Sequence, residues 1–180
     1  MQDSVDRLLA QWHQERPELD VSGLGLAVRI EMLAKLLRRS TERALAGVGL
    51  KSWQYDVLSA LRRQGPPYVL PATELARASL LTSGAMTTRI DHLEAQGLVQ
   101  RERDPHDRRG VRVSLTPRGR AVVDEALHAR FMAAETSVKG LDAEERLLVE
   151  AGLRKLLLSL KPSRKGAGAS PLEMQQAASS

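Results

Sequence analysis

Residues 81–117 constrain the fold more than any other part of the chain. In Leu81-Thr82-Ser83-Gly84-Ala85-Met86-Thr87-Thr88-Arg89-Ile90-Asp91-His92-Leu93-Glu94-Ala95-Gln96-Gly97, the residues Met86, Ile90 and Leu93 stand at i, i+4 and i+7. That is the spacing of a helix with one buried edge. Thr82 or Ser83 can cap its start, and Gly97 can end it. Gly84, Thr87, Thr88 and Asp91 fall on the opposite face, which is small and polar. The period then changes. Residues 98–103 and 111–115 alternate apolar and polar side chains, as two strands do, with 104–110 as their turn. Thr116-Pro117 is an N-cap followed by proline at the first helical position, so a new helix begins where the hairpin closes.

The flanks read as helices. Residues 3–16 make a short amphipathic one, with Val5, Leu8, Leu9 and Trp12 on one side and Pro17 at its end. A longer one starts with Ser22 as N-cap and runs to Ala46. Its apolar residues (Leu24, Leu26, Val28, Ile30, Met32, Leu33, Leu36, Leu37, Leu45) cover more than one stripe. Such a helix needs two partners, either two layers of its own fold or a second subunit. Ser52 caps a helix to Arg63, residues 65–67 are a loop, and residues 71–78 form a short helix. After the hairpin, one helix reaches about Val138 and Asp142 caps a last one to Leu160. Leu147, Leu148, Leu153, Leu156, Leu157 and Leu160 make its apolar face. Residues 162–180, rich in Ser, Gly, Ala and Gln, are expected to be a mobile tail.

Two short helices, a turn, a third helix and a β-hairpin form the winged helix-turn-helix order. The expected fold class is mainly α with a small β-hairpin wing, a winged helix-turn-helix flanked by long dimerisation helices. Residues 1–46 would be the N-terminal helices of the dimerisation region, 50–118 the DNA-binding domain, and 117–160 the C-terminal dimerisation helices.

Charge supports a polyanionic partner through its position. The net charge is +5, and residues 97–120 alone hold seven arginines against Glu102, Asp104 and Asp107. Expected contacts follow. Arg109 at the hairpin tip would enter a minor groove, with Arg108 and Arg112 on phosphates. Thr87 and Thr88 would touch base edges in the major groove, with Ser83 and Gly84 near its floor. The bland alternatives are a solvated basic turn and a plain exposed helix face. Two rivals stand beside a sequence-specific regulator: a sequence-independent architectural DNA-binding protein, and a winged-helix module that binds protein only.

Other classes are disfavoured. The absence of cysteine removes disulfides, thiol redox sensing and thiolate metal sites. The histidines (13, 92, 106, 128) lack close ligand spacing, so neither metal nor cofactor is expected. No apolar run approaches the roughly 18 residues of a membrane span. Asp3, Asp6, Arg7 and His13 interrupt any signal-peptide core, so a cytoplasmic location is expected. There is no glycine-rich phosphate loop and no G-x-S-x-G turn, so an enzyme is not expected.

The wing residues Asp104-Pro105-His106-Asp107-Arg108-Arg109, followed by Val113-Ser114-Leu115-Thr116-Pro117-Arg118-Gly119, carry a family resemblance. Over residues 22–160 the chain resembles the MarR family of bacterial transcription regulators. Ser83-Gly84-Ala85-Met86-Thr87-Thr88-Arg89-Ile90-Asp91 and the extra N-terminal helix are similar to its urate-responsive, PecS-like and TamR-like subgroup. That resemblance implies a homodimeric repressor on double-stranded, pseudo-palindromic operator DNA, released by a small anionic effector. It implies an effector site of Trp12, Asp56, Arg89 and Arg101. Bound anion would attract Arg89 and Arg101, repel Asp56 and move the recognition helix. A structural ion-pair cluster of Asp56, Arg89 and Arg101 is the competing reading.

Overall fold

The computed structural model describes residues 2–79, 81–105, 107 and 110–160. The expected tail at 162–180 lies outside them, as do Arg108 and Arg109. The chain divides into two units, residues 1–137 and 138–180. The first unit opens with α1 (Ser4–Glu15), α2 (Ser22–Ala46) and α3 (Ser52–Arg62). There follow β1 (Val69–Pro71), α4 (Ala72–Ala78), α5 (Ser83–Ala95), β2 (Val99–Arg103), β3 (Val111–Leu115) and α6 (Pro117–Val138). The second carries α7 (Ala143–Ser159), whose N-cap Asp142 accepts from the Glu145 N–H at 2.9 Å.

The core of the first unit joins α3, α4 and α5 to the sheet and to α6. Leu58, Leu61, Leu75, Met86, Ile90, Leu93, Val113 and Val123 are all buried within it. The expected Met86–Ile90–Leu93 edge is the side of α5 that faces this core.

Three elements differ from the sequence reading. The wing is not a hairpin alone. β1 pairs antiparallel with β3, Val69 opposite Ser114 and Pro71 opposite Arg112, giving the sheet order β1-β3-β2. Three residues are too few for period-2 alternation to register in the sequence. The second difference is at α3, where Lys51, not Ser52, stands at the N-cap. The Gln54 side chain accepts from the Lys51 N–H at 2.9 Å and donates to Gln96 Oε1 at 2.7 Å, while Ser52 Oγ is buried with no hydrogen-bond partner. The third is at α2, where Val21 is the N-cap and Asp20 accepts from the Ser22 N–H at 2.9 Å. In both helices the end backbone donors find longer or earlier side chains than the expected serine.

α1 docks on α2 through buried Val5 and through Leu9, whose methyl would lie 2.8 Å from a Cβ placed on Gly25. Arg29 ties the two by ion pairs to Asp3 (2.9 Å) and Asp6 (2.5 Å). The remaining apolar face of α2 is open: Leu26, Leu33 and Leu36 are 54–56% exposed.

Candidate nucleic-acid interface

α5 presents the expected polar face. Thr82 caps it by accepting from the Ala85 N–H at 3.3 Å. Ser83, Gly84, Thr87, Thr88 and Asp91 are exposed, on the side away from Met86, Ile90 and Leu93. Both threonine hydroxyls donate back to the helix, Thr87 to Ser83 O at 2.9 Å and Thr88 to Gly84 O at 3.3 Å. Each oxygen keeps acceptor capacity on an exposed residue, a surface for base-edge donors. A Cβ on Gly84 would meet nothing within 4 Å. The protein's own packing therefore gives no reason for a glycine there.

The wing stands beside this face. In the β2–β3 ladder Arg101 lies opposite Val113, and Glu102 opposite Arg112. The Asp104 N–H donates to Gly110 O at 3.0 Å and the Gly110 N–H to Asp107 O at 2.8 Å. A Cβ on Gly110 would lie 2.8 Å from that of Asp104, so the turn is closed too tightly for a larger residue. Arg112 is half-buried on β3.

The four residues of the expected effector site fall in different surroundings. Arg89 is half-buried, with its guanidinium 5.5 Å from the Trp53 ring centroid. Among the described residues no carboxylate lies within ion-pair distance of it. His92, one turn further along α5, also meets the Trp53 indole, with 6.3 Å between ring centroids and a tilt of 59°. Asp56 lines a cleft of about 410 Å³ with Thr41, Ser52, Tyr55, Arg130 and Phe131. Lost solvation lifts its carboxyl above the usual value of 3.8, and the positive charges of Arg89 and Arg63 oppose that rise. Asp56 is nonetheless exposed, so the effect is partial. Trp12 is exposed on α1, in a recess lined by Leu8, Gln11, Gln14 and Glu15 of that helix.

Arg101 is engaged elsewhere. It pairs with Asp91 at 2.5 Å and Glu94 at 2.9 Å, and donates to Thr87 O at 3.1 Å. Its own N–H donates to Glu94 Oε1 at 3.0 Å. At about 100° per residue, Glu94 and Arg89 lie about 140° apart around α5. The two arginines thus meet opposite flanks of the helix. The structure sets Arg89 within the field of Asp56, while Arg101 holds Asp91 and Glu94 instead of Asp56. Sequence reasoning missed Asp91 and Glu94 as partners of Arg101, and Trp53 as the seat of Arg89. The i, i+3 spacing of Asp91 and Glu94 was the available signal.

Asp56 gives a pH expectation with a definite sign. Its folded pKa exceeds its unfolded one, so folding favours the protonated acid and its ionisation opposes stability. That opposition is absent below the unfolded value of 3.8 and complete once pH passes the raised folded value. Asp56→Asn is expected to raise Tm at pH 7, by less than about 3 °C because the group is half-solvated. The gain should vanish near pH 3.8 in thermal melts.

Among the described residues, no group of three His, Asp or Glu could hold a metal ion, and no helix is long and apolar enough to cross a membrane.

A helix, a turn and a second helix with an exposed polar face, followed by a sheet-anchored hairpin, define a winged helix-turn-helix protein. A family model described as "MarR family" matches residues 48–110. The HTH-type transcriptional repressor NicR of Pseudomonas putida is 33% identical over 134 residues, covering 71% of this chain and 83% of that protein. The HTH-type transcriptional regulator PecS of Dickeya dadantii is 26% identical over 147 residues, covering 82% and 89%. Sco3205 of Streptomyces coelicolor, a MarR family transcriptional regulator solved in complex with DNA, superposes with a TM-score of 0.70 at 26% identity, covering 81% of this chain and 91% of that one. The chain belongs to the MarR family of transcriptional regulators.

Proposed function

We propose that the protein is a homodimeric repressor that holds pseudo-palindromic operator DNA until a small organic anion releases it. The observation that carries the DNA reading is the α5 face. It is exposed, small and polar, contains a glycine that no internal contact requires, and stands beside a basic wing. Such a face fits a major groove, with Thr87 and Thr88 at base edges and Ser83 and Gly84 at the floor. Arg108 and Arg112 would meet phosphates, and Arg109 would enter the flanking minor groove. Sco3205 was solved in complex with DNA, which supports the same role here.

A second copy of the chain is the natural cover for the open leucines of α2, with residues 117–160 completing the dimerisation region. The effector reading rests on Arg89. It is a half-buried cation seated on an indole face, with its in-plane N–H donors available to a planar oxyanion. Asp56, Arg101 and Trp12 complete the proposed set, and repression is carried over from the name of NicR.

Selection of bound duplexes from a random pool, followed by urate titration of the complex, tests both halves. The expected result is one enriched two-half-site sequence that is released by urate. Equal retention of all sequences would favour the architectural rival, and no retention a protein-only module. If Arg89→Ala and Asp56→Ala leave urate release unchanged, the effector site is wrong.

A further inference from the structure

We propose that Arg101 is an electrostatic mask on the recognition helix, and that DNA binding depends on its covering the carboxylates of Asp91 and Glu94. This rests on the DNA-binding reading above. Asp91 shares the exposed face of α5 with Ser83, Gly84, Thr87 and Thr88, and its side chain is 57% exposed. A bare carboxylate there would face a phosphate backbone carrying one negative charge per about 1.7 Å of duplex. Glu94, at i+3 from Asp91, adds a second charge on the same flank.

Arg101 reaches both from β2, and its guanidinium also takes the Thr87 carbonyl. Its backbone N–H takes the Glu94 carboxylate as well. These four bonds arrive from one residue at the base of the wing, so the mask also fixes the wing beside the helix. A phosphate contact would need guanidinium donors that point at DNA. Here two of the nitrogens are committed to carboxylates and a carbonyl, which makes charge neutralisation the role the geometry serves. An anionic effector that took Arg101 would uncover Asp91 and Glu94 at the DNA face. Release would then follow from repulsion between like charges.

The mask is distinguishable from a direct phosphate contact by non-additivity. Affinity for a duplex selected by the wild-type protein is measured for four full-length proteins: wild type, Arg101→Met, Asp91→Asn/Glu94→Gln, and the triple variant. Arg101→Met is expected to weaken binding about tenfold or more at low salt. Adding the two neutral substitutions to it should restore affinity to within about threefold of wild type. The same pair in the wild-type background should change affinity several-fold less. Arg101→Lys should keep most of the affinity, as it keeps the charge, and circular dichroism and melting report whether each variant is folded. Equal effects of the neutral pair in both backgrounds would overturn the mask and assign Arg101 to phosphate. Undiminished binding by folded Arg101→Met would overturn it as well. Failure of the wild-type protein to select any duplex would instead overturn the DNA reading and this proposal with it.

Discussion

Gly119→Ala is expected to destabilise the protein by about 3 kcal/mol, the upper part of the range for forced overpacking. For a chain of this length that corresponds to a fall in Tm of about 6–12 °C. Gly119 is buried in the first turn of α6, and a Cβ there would sit 1.8 Å from the Leu98 carbonyl oxygen and 2.8 Å from its carbon. Both are backbone atoms, so no side chain can swing away. The approach is fixed by three hydrogen bonds. Thr116 N–H donates to that same Leu98 oxygen at 3.1 Å, Thr116 Oγ1 donates to Gly97 O at 2.7 Å, and the Gly119 N–H donates to Thr116 Oγ1 at 2.9 Å. Relieving the clash means pulling α6 from the entry of β2 and breaking this set. Alanine gains about 1 kcal/mol over glycine in helix propensity, and the clash outweighs that gain. Denaturant melts followed by circular dichroism check it.

Gly84→Leu is expected to do the reverse: hold or raise stability while removing DNA binding. Nothing lies within 4 Å of a Cβ at Gly84, and leucine is the better helix former by up to about 1 kcal/mol. Its side chain would stand on the polar face beside Thr87 and Thr88 and hold α5 away from the groove floor. Each base-pair interaction lost costs about 1–3 kcal/mol. Loss of two or more weakens specific binding by at least about 30-fold, since about 1.4 kcal/mol is tenfold. Paired melting and gel-shift measurements read the two effects separately. A variant that melts lower and binds normally would show that Gly84 serves the fold.

These two glycines show what a sequence can and cannot convey. Both sit in helical first turns, and nothing in their neighbours tells that one is squeezed against a carbonyl and the other faces open space. The α5 stripe of Met86, Ile90 and Leu93 was legible because a period of 3.6 repeats within one element. Thr116-Pro117 was legible because capping chemistry is local; Thr116 caps α6 as read. β1 was not, because three residues carry no period and their partner β3 lies more than forty residues on. The candidate site divides the same way. Exposure of Ser83, Gly84, Thr87 and Thr88 follows from the helical wheel. The capture of Arg101 by Asp91 and Glu94 depends on how β2 folds back along α5, and the seat of Arg89 on Trp53 depends on α3 crossing beside it. Both are tertiary facts, as is the choice of Lys51 over Ser52 at the α3 cap, which hinges on Gln54 reaching Gln96.

The most direct test of the central claim, that the α5 face docks in a major groove of operator DNA, is methylation protection of guanine N7 on a duplex selected by the wild-type protein. N7 lies on the major-groove edge. The expected result is protection in two half-sites about 10 bp apart, centre to centre, with protection lost for folded Gly84→Leu. Tight binding with every N7 still reactive, or protection unchanged by Gly84→Leu, would contradict it.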